Sequence, residues 1–196
     1  LVTTQYGYTE STNESPVGPK YLRGMDMNKT SYIDWSKVPY CPITSDNKKI
    51  YAVRKGDVFV IRMADPGKVG IVEQDVDAVF ASCLIRVRPT DARLQPYTLF
   101  YLLNSSEYQS YISGASTGTT RKSASAGVIT DFQFVLPPSN LISSFEARAT
   151  TFRVALTTLL QQIENLRRTR DLLLPRLLSG QIDVEALPEP ALMEGS

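Results

Sequence analysis

Any chemistry in this chain has to be built without histidine, because the sequence contains none. That removes Ser-His-Asp triads, Cys-His pairs and histidine-ligated metal sites, each of which needs an imidazole to move a proton or to donate a lone pair near neutral pH. Cysteine is no substitute. Cys41 and Cys83 stand apart, with no Cys-x-x-Cys spacing for zinc or thiol exchange, and they read as reduced thiols of a cytosolic protein. Asp75 and Asp77 could share a cation only with a lysine beside them in space, and a solvated turn is the simpler reading. Asp57 in Gly56-Asp57 has the ordinary task of an aspartate at a turn, bonding the nearby backbone.

Two short motifs come closer to chemistry, and both fail on their residue types. Thr117-Gly118-Thr119-Thr120-Arg121-Lys122-Ser123 is loosely similar to a phosphate-binding loop, but it lacks the Gly-Lys-Ser/Thr ending and follows a helical pattern rather than a strand. Leu136-Pro137-Pro138-Ser139 is similar to the Asn-Pro-Pro-Tyr motif of adenine methyltransferases. Leu136 cannot bond the amino group to be methylated, and Ser139 cannot stack on a flipped base. The sequence therefore predicts no enzymatic activity, no cofactor and no metal.

What remains is recognition. The net charge is only +1, with fifteen basic against thirteen acidic residues up to Asn140 and six against seven after it. Charge is nevertheless uneven. Lys48, Lys49, Arg54, Lys55, Arg62 and Lys68 face only Asp57 and Asp65 in one stretch, which can form a local basic face or a solvated strand face. No apolar run is long enough to span a bilayer, and Leu1 to Glu10 has neither the basic start nor the apolar core of a signal peptide. The start at Leu rather than Met predicts a fragment of a longer chain.

The elements that would position these residues fall into two regimes. Residues 1–138 read as a mixed, mainly β-strand globular domain. Leu1 to Lys20 is irregular or partly extended. Tyr51-Ala52-Val53 and Val58 to Ile61 flank the turn Lys55-Gly56-Asp57, where glycine can supply a positive φ. Val69 to Val72, Ala78 to Ala81 and Cys83 to Val87 are further strands, and Pro89 closes the last. Gln95 to Ile112 reads as one helix, and Phe132 to Leu136 as a short strand.

After Pro138 the period changes to that of a long helix over 139–180, capped by Ser139 or Asn140, with 181–196 as a C-terminal tail that reads as disordered from Glu185 to Ser196. Phe145, Ala149, Phe152, Leu156, Leu159, Ile163 and Leu166 alternate in steps of four and three, a coiled-coil seam of about four heptads. Leu173 continues it, and Arg170 breaks it. Pro175 is expected to kink or interrupt the helix, and Gly180 to end it. The fold class expected is α+β, a recognition domain followed by a coiled-coil-forming helix.

Four stretches in this order resemble one family. Tyr21-Leu22-Arg23-Gly24-Met25-Asp26-Met27, Lys55-Gly56-Asp57-Val58-Phe59-Val60-Ile61-Arg62 with Gly67-Lys68-Val69-Gly70, and Ser116 to Thr120 with Val135-Leu136-Pro137-Pro138 are similar to parts of its recognition domain. Leu172-Leu173-Leu174-Pro175-Arg176-Leu177-Leu178-Ser179-Gly180-Gln181-Ile182 resembles the end of its conserved helix. The family is the specificity (S) subunit of type I restriction–modification systems, and one half of such a subunit would be present.

The resemblance implies double-stranded DNA as ligand, and methyltransferase (M) and restriction (R) subunits as partners. It also implies antiparallel pairing of the long helix with a second S half or a second copy, through Phe145, Phe152, Leu156, Leu159, Ile163, Leu166 and Leu173. A module of this kind must set donors against base edges and cations against phosphates. The candidates are Arg62 and Lys68 beside the glycines, Thr119, Thr120, Arg121 and Lys122 in the hydroxyl-rich loop, and then Arg23, Lys48 and Lys49. The alternative is an adaptor with a peptide- or protein-binding β domain and an oligomerising helix.

Overall fold

A computed structural model of the chain describes residues 1–27, 32–116 and 122–182. It divides into two compact units, Leu1–Thr150 and Thr151 onward. The first unit is organised around a four-stranded antiparallel sheet with the order β1-β6-β3-β4, where β1 is Val2–Tyr6, β3 Val58–Ile61, β4 Val69–Ile71 and β6 Leu84–Pro89. A parallel pair, β2 (Lys20–Leu22) and β5 (Ala78–Phe80), lies outside it.

Strand β3 is buried at every position, as its unbroken apolar run requires of a strand covered on both faces. Val58 and Val60 point into a core shared with Leu99, Phe100 and Tyr108, while Phe59 and Ile61 point into a second core with Leu22, Trp35 and Phe80. The alternation of side chains along a strand makes this division. The Lys55-Gly56-Asp57 turn forms as expected, with Gly56 at φ +88°.

The structure corrects several local expectations. Tyr51 is not in a strand but ends a helix, α1 (Ser45–Tyr51), whose first turn is capped by Thr44. The stretch Gln95 to Ile112 is two helices, α2 (Pro96–Leu103) and α3 (Ser106–Ala115). The break falls where Asn104 donates its side-chain amide to Phe100 O (2.7 Å) and Ser105 accepts from Tyr108 N (3.2 Å). Such short polar side chains compete with the helix for its own backbone groups.

Phe132 to Leu136 follows a five-residue helix, α4 (Ala126–Thr130), and is not a strand. Phe132, Phe134 and Leu136 pack on the core between exposed neighbours, as alternate residues of a strand would, but no strand among the described residues pairs with them. Finally, Pro175 does not interrupt the long helix α5 (Ser139–Leu178). The carbonyl that Pro175 leaves unbonded is that of Asp171, on an exposed stretch where water can take it. Gly180, at φ +71°, ends the helix as expected.

The start of α5 is not capped by Ser139 or Asn140. The Pro138 carbonyl accepts the first bonds, from Leu141 N (3.0 Å) and Ile142 N (3.1 Å). Within the first unit this segment buries Ile142 and Ala149, and it caps another helix. The N-cap Gln95 of α2 makes no side-chain bond. Instead Glu146 accepts from Tyr97 N and Thr98 N, both at 2.9 Å, and from the Thr98 hydroxyl at 3.0 Å. A carboxylate at a helix N-terminus satisfies free N–H groups and meets the positive end of the helix dipole. Glu146→Ala is expected to lower stability by about 1–2 kcal/mol, with Glu146→Gln in between, as read from the midpoint of urea unfolding. An unchanged midpoint for the alanine variant would show that water replaces the carboxylate without loss.

Candidate nucleic-acid interface

The hairpin that joins β3 to β4 carries two of the sequence candidates, Arg62 and Lys68. Its loop is closed at the base by Ile61 N to Lys68 O and Gly67 N to Ile61 O, both 2.9 Å. Two left-handed residues turn it, Ala64 at φ +69° and Gly67 at φ +99°. Gly67 is needed for space as well, because a Cβ there would lie 2.3 Å from Ile112 Cγ2. Gln109 of α3 holds the loop by donating to Gly67 O at 2.8 Å.

The segment after the hydroxyl-rich loop runs antiparallel to this hairpin. Met63 bridges Ser123, Ala64 N donates to Lys122 O (3.1 Å), and Ala124 N donates to Arg62 O (2.9 Å). Tertiary structure therefore brings Arg62, Lys68 and Lys122 to one end of the sheet. Lys68 and Lys122 are exposed and have no ion-pair partner among the described residues. Thr119, Thr120 and Arg121 lie outside the described residues.

Arg62 is half-buried, with its guanidinium 5.0 Å from the centre of the Tyr6 ring. Sequence reasoning missed Tyr6. It sits far from Arg62 along the chain and arrives only because β1 pairs with β6, which pairs in turn with β3. Tyr6 is itself fixed, accepting from Ala126 N at 3.0 Å. Met63, exposed beside Arg62, was equally invisible as a contact residue.

The remaining cations are differently placed. Arg23 opens a tight turn, Gly24–Asp26, in which Gly24 lies against the Ile61 side chain. Its guanidinium is held by Asp26 at 2.9 and 3.1 Å, and the bond to that carboxylate raises its pKa above the usual value. Lys48 and Lys49 belong to α1, which packs on β5, and pair with Asp77 (2.7 Å) and Asp46 (3.5 Å). The structure does not bring these two to the hairpin. Cys41 is buried, and burial pushes its thiol up to about 11, which leaves little thiolate to react.

On α5 the residues of the expected seam divide. Phe145 sits edge-on to Tyr101 at 5.6 Å, inside the first unit. In the second unit Leu156 is half-buried, while Phe152 (72% exposed), Leu159 (57%), Ile163, Leu166 (69%) and Leu173 lie open. Arg170, the residue that breaks the seam, pairs with Asp171 on its own helix at 2.7 Å. No described helix is long and apolar enough to cross a membrane.

No protein-family model and no curated protein matches this chain. Solved structures do. The type I restriction–modification S subunit of M. genitalium aligns with 91% of this chain at a TM-score of 0.59 and 15% identity. The HsdS subunit of Thermoanaerobacter tengcongensis aligns with 87% at 0.54 and 16% identity. A chain from a structure addressing assembly and conformational transition of a type I restriction–modification system aligns with 89% at 0.50 and 16% identity. The match takes up 46%, 38% and 43% of those chains, so this chain spans less than half the length of each. In fold, it is similar to one half of a type I restriction–modification S subunit, a small, mainly β domain followed by a long helix.

Proposed function

We propose that this chain reads one half of a split DNA target and directs methyltransferase and restriction subunits to it, without doing chemistry itself. The observation that carries this reading is the likeness to S subunits over about nine-tenths of the chain, helix included. The exposed cations at the β3–β4 hairpin support it, because a DNA reader needs charge to hold phosphates beside the groups that read bases. The low net charge suits a module that shares its grip on DNA with partner subunits.

The test is binding of duplex DNA by the full chain together with methyltransferase subunits from its own host. Selection from random duplexes should return a defined half-target, and affinity should fall steeply with salt. Lys68→Ala with Lys122→Ala should weaken all sequences alike and reduce the slope of log K against log salt by about 2, since each phosphate contact contributes about 0.9. Arg121→Ala is expected to add to that effect. Binding that is insensitive to salt and sequence, or a double variant with an unchanged slope, would overturn this assignment of the interface.

A further inference from the structure

Among the described residues, the donors of Arg62 are largely unused. Its Nη1 donates there to Met63 Sδ at 3.4 Å and to Ser82 O at 3.5 Å, the long end of the range. Its Nε is buried with no acceptor among the described residues. Several other arginines of the first unit are paired with carboxylates: Arg23 with Asp26, Arg86 and Arg88 with Asp57, and Arg93 with Asp91. Arg62 faces no carboxylate among the described residues, and its charge is met by the Tyr6 ring instead. A cation stacked on a ring keeps its plane fixed while its outer N–H groups stay available.

From this we infer that Arg62 reads a guanine of the half-target, donating in bidentate fashion to O6 and N7 from the major groove. The inference rests on the DNA-reading function proposed above. A rigid planar fork matches that pair of acceptors, which no other base presents on its major-groove edge. The surroundings favour a base over a phosphate. Tyr6 (44% exposed) and Met63 (47% exposed) give the guanidinium an apolar frame, whereas Lys68 and Lys122 are the open, flexible point charges that suit phosphates. The hairpin also has a suitable shape, since the major groove admits a two-stranded ribbon and Arg62 stands at the end of one.

The experiment uses the full chain with its methyltransferase subunits and a selected duplex. Wild type should prefer guanine at one position by about ten- to a hundredfold. Replacing that guanine by 7-deazaguanine, which lacks the N7 acceptor, should weaken binding of the unmodified protein about tenfold. Arg62→Ala should abolish the preference at that position and leave the others, and Arg62→Lys should keep part of it. Tolerance of 7-deazaguanine at every guanine would overturn the inference without reliance on any variant. A uniform loss across sequences with a flatter salt dependence would also overturn it, making Arg62 a phosphate contact. A wild-type complex with no sequence preference would instead remove the DNA-reading function itself.

Discussion

Asp57→Ala should destabilise the first unit by about 3–5 kcal/mol, because it leaves a buried arginine without its counter-charge. Asp57 stands in the Lys55-Gly56-Asp57 turn and accepts from Arg54 N at 2.9 Å, as a turn aspartate should. Its carboxylate is buried, however, and it also meets two guanidinium groups, with Arg88 Nη2 at 2.8 Å and Arg86 Nη1 at 3.4 Å. Arg88 Nε donates to the same carboxylate, and Arg86 reaches onward to Ala52 O at 2.6 Å and to Gln5 Oε1. The cluster thus joins β1, β3 and β6.

Burial pulls the Arg86 pKa below the usual guanidinium range, Asp57 opposes that shift, and Arg88 and Arg54 add to it. Without Asp57, two cations and no anion would share the site. Set against a typical domain stability of about 5–15 kcal/mol, the loss is large. Asp57→Asn should fall between the two, since it keeps an acceptor for Arg54 N and gives up the charge. Arg86→Met should be milder than Asp57→Ala, because it removes the buried charge instead of stranding it. Urea unfolding of the full chain provides the check. An Asp57→Ala protein within about 1 kcal/mol of wild type would mean that the cluster contributes little.

The second large effect concerns the open stripe on α5. Phe152, Leu159, Ile163, Leu166 and Leu173 lie on the second unit with much of their surface exposed, and each large apolar side chain gains about 1.5–3 kcal/mol on full burial. We expect the isolated chain to dimerise through this stripe at micromolar concentration. On the proposed function, antiparallel pairing around a two-fold axis would place two identical DNA-reading domains for a palindromic split target. Leu159→Asp with Ile163→Asp should give a monomer in light scattering while the near-ultraviolet signal of Trp35, in the first unit's core, stays unchanged. A wild-type chain that remains monomeric at high concentration would count against self-pairing and favour the helix folding back on its own domain.

Much of this protein was legible in its residues alone. The change from period two to period 3.5 after Pro138, the apolar runs of β3 to β6 and the glycines at Gly56 and Gly180 all act within a turn or two of chain. Local sterics and backbone hydrogen bonding decide such features, so residue order suffices to read them. The lack of histidine likewise excludes whole classes of chemistry without any coordinates. Some local features were open to misreading because competing signals are similar in strength. The polar pair Asn104-Ser105 split one expected helix, and Pro175 failed to stop another where solvent could take the freed carbonyl.

Other features had no local signal. The Asp57–Arg86–Arg88 cluster, the Tyr6–Arg62 stack, the Glu146 cap on α2 and the parallel pairing of β2 with β5 all join residues far apart in the chain. Nothing in the period or type of either partner predicts the other. Which basic residues lie open was decided only partly in the same way. Lys48 meets Asp77 from far along the chain, whereas Arg23–Asp26 and Lys49–Asp46 are pairs three residues apart, and Lys68 and Lys122 stay exposed without an ion-pair partner among the described residues. The reason is that an ion pair or a stack depends on distances of a few ångströms, and those are fixed by how the strands pair rather than by residue order.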